Sequence, residues 1–517
     1  MFRHAVNVLY LATLLSVPVG CMHQSVIPLS ATPHVAVIAD GFGDPSSLNP
    51  YIDGAWPTGA VTGELALAYF VHEAPNGALA PYLLTRIPNF KNGDVSDDGR
   101  RITFHLRPHL RWSDGVPLSA DDVAFTVRAI KDPKNNAVVA GFDLITRVVV
   151  KNKTTVVFYL KRPYADFSTT YFSTDGRVCL LPRHAFKGLD IEHSPFNSKP
   201  IGAGPFRVVA WHRGSDIEFE RNPYYFGPPA KLKRVIYRIQ SSISTTQLQF
   251  QTGEVHFWDR VPETRIALAR AVRGAHVLET SPDAYLHIDF NVNRVRDRSI
   301  REAVRFALDR REIAKAVTGG LTTAQEGVVN DANPLAWKLP LIEQDTMRAK
   351  ALLRARLPTL HLIYPLGDET ISTVVELVRE QLENAGISLE AKGYTNVQLT
   401  VSILPNGAWD MALFNWSLDP TADLSDLYKC SSAAPNGSNY GRYCNPEMDR
   451  LLKRFASTYD VQERMDILRR EEALIDHDVP TIVLFMRDWG FAESAAVTGF
   501  APRRDSPFDG FESADVK

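Results

Sequence analysis

The stretch Phe414-Asn415-Trp416-Ser417-Leu418-Asp419 brings an aromatic face, an amide and a hydroxyl next to a carboxylate. It follows Asp410–Phe414, which reads as a strand, so backbone groups and an aromatic wall meet a negative charge at its end. Two accounts of Asp419 stand side by side. It contacts a ligand, or Asp419-Pro420 is a turn in which the carboxylate bonds nearby backbone amides. Other chemistry-bearing residues point nowhere. His105 and His109 are four apart, but Pro108 and strand alternation spoil a helical metal face. Asp94, Asp97 and Asp98 lack the spacing and terminal Glu of a calcium loop. Gly202-Ala203-Gly204 is followed by Pro205 and lacks the third glycine of a dinucleotide fingerprint, so it predicts a tight turn. With no phosphate loop, GxSxG elbow or HExxH helix, the sequence asks for no catalytic residue, metal or cofactor.

The elements that must position the 414–419 stretch change along the chain. In the first half, His34–Ala39 is a strand, Gly63–Glu73 an apolar helical stretch, and Arg101–Arg107 alternates as a strand. A helix is predicted from Ser119, with Asp121 and Asp122 in its first turn suited to the helix dipole. Further strands are predicted at 155–160, 206–211 and 217–220. In the second half, helical patterns at 299–317, 345–356, 372–386, 446–457 and 461–477 alternate with short strands at 360–364, 387–390 and 411–414. That order predicts an α/β unit with a mixed or parallel sheet.

Of four cysteines, Cys430 and Cys444 bracket a polar Gly/Ser/Asn-rich loop and suit a disulfide in an oxidising compartment. Cys179, inside the apolar run Val178–Leu181, reads as a buried free thiol. The 517 residues exceed one core, and 57 Lys plus Arg against 59 Asp plus Glu leave no basic excess to neutralise phosphates. A nucleic-acid partner is therefore not expected.

The N-terminus carries Arg3 and then a short apolar run, Ala5–Val19, too short for an ordinary membrane span, which reads as a secretory signal over residues 1–21. Its end, Val17-Pro18-Val19-Gly20-Cys21, resembles a bacterial lipobox with Pro18 in place of the usual Leu, and implies lipidation of Cys21. The mature chain is then expected in the periplasm or at the cell surface, held to the membrane by its lipid.

Three further stretches resemble the family 5 solute-binding proteins of ATP-driven (ABC) importers, which include dipeptide-, oligopeptide- and nickel-binding proteins. They are Thr103 to Val123 (TFHLRPHLRWSDGVPLSADDV), Ile201-Gly-Ala-Gly-Pro-Phe206 with Glu220-Arg-Asn-Pro-Tyr-Tyr-Phe-Gly227, and Arg298-Ser-Ile-Arg-Glu-Ala-Val-Arg-Phe-Ala-Leu-Asp309. The resemblance implies an α/β, three-lobed, periplasmic-binding-protein-like fold of cluster C, which closes like a flytrap about a hinge. Lobe I would comprise 22–75, 200–275 and 486–517, lobe II 76–199, and lobe III 276–485. The implied function is a monomeric, non-enzymatic receptor that captures peptides between lobes I and III and hands them to the transmembrane subunits of an ABC permease. Peptide-binding members place an Asp three residues after the matching Trp, where it pairs with the peptide α-ammonium; Asp419 has that spacing. Phe414, Asn415 and Trp416 would line the cleft with it, and Leu48 and Asn49 fall in a lobe I loop that touches ligand in relatives. One departure matters. Dipeptide-binding members hold the ligand carboxylate with an arginine shortly after the strand that is 360–364 here, whereas Pro365-Leu-Gly-Asp-Glu369 offers negative charge. The alternatives are the same fold binding a metal chelate, haem, an oligosaccharide or an opine-like compound, and, in another class, a periplasmic hydrolase or chaperone-like factor.

Overall fold

The computed structural model describes residues 32–517 except 42, 54–56, 75–78, 136–141, 171, 174–177, 187, 189, 281–283, 355–356, 419–420, 436, 488 and 504–505. The signal segment, Cys21 and Asp419 lie outside the described residues. Among the described residues, no helix is long and apolar enough to cross a membrane.

Three sheets carry the fold. The first has seven strands in the order His276–Thr280, Trp489–Glu493, Phe257–Val261, Val35–Ala39, Arg234–Arg238, Asp216–Arg221, Phe206–His212. The run Val35–Ala39 is apolar throughout and buried throughout, because it is flanked by parallel strands on both sides. The second has three antiparallel strands, Arg101–His105, Thr155–Leu160 and Ile145–Asn152. The helix Ala120–Lys131 belongs to the same core, with Trp112, Phe104, Phe158 and Phe167 at its centre. That helix starts where Ser119 and the aspartates predict; the Asp122 carboxylate accepts from the Ser119 backbone N–H at 2.9 Å.

The third sheet has five strands in the order Ser388–Tyr394, Thr359–Pro365, Met411–Ser417, Ala284–Phe290, Thr481–Met486. Its first three strands are parallel and the other two pair antiparallel, so it is mixed. Helices Arg298–Ala307, Arg310–Thr318 and Glu369–Asn384 cover its core. The single helix predicted over 299–317 is in fact two. The chain turns at Leu308, and Asp309 restarts it by accepting from the Glu312 N–H at 2.9 Å. The helical stretch predicted over 63–73 also ends early, at Ala66, and Val71–Glu73 pairs as a strand with Leu79–Pro81.

The glycine pair 202/204 makes a close backbone passage. A Cβ on Gly202 would sit 1.8 Å from the Ala66 carbonyl oxygen, so only glycine fits. Cys430 and Cys444 form a disulfide, and Cys179 is a buried free thiol whose pKa burial pushes up to about 12. The chain enters the five-stranded unit between Thr280 and Ala284 and leaves it between Met486 and Trp489. The cleft lies beside these two crossings.

Candidate ligand-binding cleft

Strand Met411–Ser417 is the central strand of the five-stranded sheet, and its side chains alternate between faces. Asn415 and Ser417 point into a cleft of about 370 Å³ between the five- and seven-stranded sheets. Asp40, Arg260 and Pro262 line it from the seven-stranded side, and Leu366 and Asp368 from the other. It thus opens at the carboxyl ends of Val35–Ala39, Thr359–Pro365 and Met411–Ser417, where open α/β sheets leave a crevice.

Phe414 and Trp416 take the opposite face. Phe414 is buried, 4.4 Å ring to ring from His287, and Trp416 packs 6.1 Å from both Phe414 and Tyr440. Trp416 borders a separate cavity of about 20 Å³ with Tyr285, His287 and Tyr428, room for about one water. Leu48 is fully buried in the core of the seven-stranded sheet with Ala36 and Ile38. Asn49 is fully buried too; its amide donates to Asn197 Oδ1 at 2.8 Å and its oxygen accepts from the Tyr51 N–H at 3.1 Å. Of the described residues singled out in the sequence, the cleft therefore gathers Asn415.

At its floor is Arg487, a residue the sequence reading missed. Its Nε and Nη2 donate to the two Glu263 oxygens at 2.5 and 3.0 Å, and Nη1 donates to Asp368 at 3.1 Å and to Asn415 Oδ1 at 3.0 Å. Burial alone would lower its pKa, but the charges of Glu263 and Asp368 outweigh burial and the net shift is upward. The available signal was a basic residue directly after the apolar run Ile482–Met486.

The negative charge after strand Thr359–Pro365 is already committed. Asp368 caps the helix Glu369–Asn384 by accepting from the Ile371 N–H at 3.1 Å, besides its bond to Arg487. Glu369 pairs with Arg265 at 3.1 Å across the cleft. Asp368 and Glu369 thus both line the cleft, with their charge met in part by Arg487 and Arg265. On the facing wall, Arg260 sits where the pairing of Phe257–Val261 with Trp489–Glu493 shifts register, and its φ of 53° is left-handed. The bulge turns it toward the Trp489 ring, whose centroid lies 4.9 Å from its guanidinium carbon and 4.6 Å from that of Arg487. The cleft therefore offers an amide, hydroxyls, an aromatic face and a cation. Among its described lining residues there is no His or Cys to make a nucleophile–base pair.

The family pattern "Bacterial extracellular solute-binding proteins, family 5 Middle" matches residues 74–438. The chain belongs to this family. A curated relative of this solute-binding protein, the oligopeptide-binding protein AppA of Bacillus subtilis (strain 168), is 26% identical over 442 residues, covering 79% of this chain and 80% of that one. The solved structure of AppA from Bacillus subtilis in complex with a nonapeptide superposes with a TM-score of 0.82 at 21% identity, covering 93% of this chain and 99% of the other. NikZ from Campylobacter jejuni in complex with Ni(L-His) superposes with a TM-score of 0.80 at 21% identity, covering 94% and 99%. The family 5 chain therefore shares the periplasmic-binding-protein fold, built here from mixed α/β units.

Proposed function

We propose that this family 5 protein captures peptides with a free amino terminus in the cleft and delivers them to an ABC permease. The observation that carries the reading is the cleft itself: polar and aromatic groups converge at the carboxyl ends of strands from two sheets that share only two chain crossings. The peptide-binding relative AppA supports the ligand class. Of the expected lobes, 22–75 with 200–275 and 486–517 would close against 276–485, with 76–199 as the third; because His276–Thr280 pairs in the seven-stranded sheet and Met486 in the five-stranded one, the boundaries move to 280/284 and 486/489. Asp419, two residues beyond the cleft-lining Ser417, is proposed to take the peptide ammonium, and Cys21 to carry the lipid. The protein would return its ligand intact, as a receptor and not an enzyme.

A thermal-shift series tests this. Free-amine peptides should raise the unfolding midpoint, N-acetylated ones should not, and Asp419→Asn should weaken binding by roughly a hundredfold or more. A shift that ignores acetylation sinks the peptide reading. A compact non-peptide solute is the second reading. It is favoured by a cleft volume of about 370 Å³, near the lower end of the roughly 300–1,000 Å³ usual for ligand pockets.

A further inference from the structure

We propose that the ion pair between Arg464 and Asp166 is a closure clasp, and that Arg464 is a positioning residue linking one wall of the cleft to the shut arrangement of the molecule. The inference rests on the cleft being the binding site, as read above. The five-stranded unit and the seven-stranded sheet face each other across the cleft, and parting them would open it. Away from the 280–284 and 486–489 crossings, helices Pro446–Ser457 and Val461–Asp478 of the five-stranded unit meet the unit built on the three-stranded sheet.

The contact is centred on one guanidinium. Arg464 Nη1 and Nη2 donate to Asp166 Oδ1 and Oδ2 at 2.5 and 2.8 Å, with the two side chains only 9% and 7% exposed. This is the bidentate geometry that makes an arginine–carboxylate pair strong and orientation-specific. Nη2 also donates to the Thr421 carbonyl at 3.0 Å. Thr421 lies four residues past Ser417, so the same side chain holds the distant unit and the segment that leaves the cleft wall. Secondary contacts cross the same seam. The Ala165 N–H donates to the Ala456 carbonyl at 2.8 Å, the Tyr459 hydroxyl to the Gly99 carbonyl at 3.3 Å, and the Tyr164 hydroxyl to Asp423 at 3.4 Å.

Such a seam is made only when the units are together. When they part, water solvates both Asp166 and Arg464. When they close, each needs the other, because a buried charge without its partner is heavily penalised. Removing one partner therefore raises the free energy of the shut state and leaves the open state almost untouched. The clasp thus sets how far the empty cleft stands open, and through that the affinity and release rate of whatever it binds.

Distance measurement by double electron–electron resonance on the ligand-free full chain tests the clasp. Nitroxides go on Lys134→Cys in the three-stranded unit and Lys453→Cys in the five-stranded unit, both exposed positions. All samples carry Cys21→Ser, and Cys179 is buried with its thiol pKa pushed up to about 12, so it should not take label. The wild type should show a dominant short distance. Asp166→Asn should lower the short-to-long population ratio by about tenfold or more. The charge swap Asp166→Arg with Arg464→Asp should recover much of the short population, which a merely structural lesion would not permit. A wild type already as open as Asp166→Asn, an Asp166→Asn distribution equal to the wild type, or a folded swap that stays open would each overturn the proposal. No ligand enters the measurement, so its outcome is separate from the acetylation comparison that tests the peptide reading.

Discussion

Arg487 and Arg464 are both buried arginines gripping a buried carboxylate through two nitrogens, yet they sit at opposite ends of the same problem. Arg487 lies at a covalent crossing, where Glu263, Asp368 and Asn415 surround it and the chain itself keeps them near. Arg464 lies where two units touch without a covalent link, and Asp166 reaches it only when they meet. The same chemistry therefore welds one place and can latch another. What differs is whether the alternative to the bond is unfolding or mere separation.

The largest effect that would break this comparison is on Arg487. Arg487→Ala should destabilise the whole protein by about 3–5 kcal/mol in urea unfolding, because Glu263 stays buried without its cation. Arg464→Ala should cost less, about 1–3 kcal/mol, since separation of the units lets water reach Asp166. Equal losses would mean that the two pairs play one structural role. Comparable in size is the Cys430–Cys444 bridge, which braces the chain before the helix Pro446–Ser457, whose Ala456 carbonyl accepts from Ala165 at the same seam. Closing a loop of about 15 residues stabilises by roughly 3 kcal/mol on the chain-entropy model, so reduction should lower the unfolding midpoint accordingly.

The smallest and sharpest test is a pH profile on the clasp helix. Burial pushes Glu472 from an ordinary value of 4.5 up to about 8, so the folded state holds its proton where the unfolded state has released it. Its favourable contribution is then complete below about 4.5 and is lost as pH rises toward about 8. Glu472→Gln should flatten the fall in urea midpoint across that interval, and an unchanged slope would assign the dependence to other groups.

Local signals were read well where one short stretch decides the outcome. The capped helix after Ser119, the strand at 35–39 and the Cys430–Cys444 bridge each depend on neighbours in sequence, whereas the tight turn expected at Gly202–Gly204 is a close passage against Ala66 instead. The 299–317 helix was misread because the apolar periodicity runs through Leu308, and only the cap at Asp309 marks the break. The strand at 411–414 continues to Ser417, and that extension decides which way its side chains face. Asn415 falls on the cleft side and Phe414 and Trp416 on the packed side, a period-two consequence that composition does not show.

By itself the sequence determined the family, the α/β fold class, the position of most elements and the near balance of 57 basic against 59 acidic residues. Those follow from motif order, period and charge count, which are local or additive properties of the chain. Only the tertiary structure decided where charges meet. Glu263 and Arg487 are 224 positions apart, and Asp166 and Arg464 are 298 apart. No spacing rule links residues at such separations, because the fold brings them together through packed sheets and not through a shared element. The acids after strand Thr359–Pro365 make the same point: the chain shows their charge, and only the fold shows that Arg487 and Arg265 are its partners.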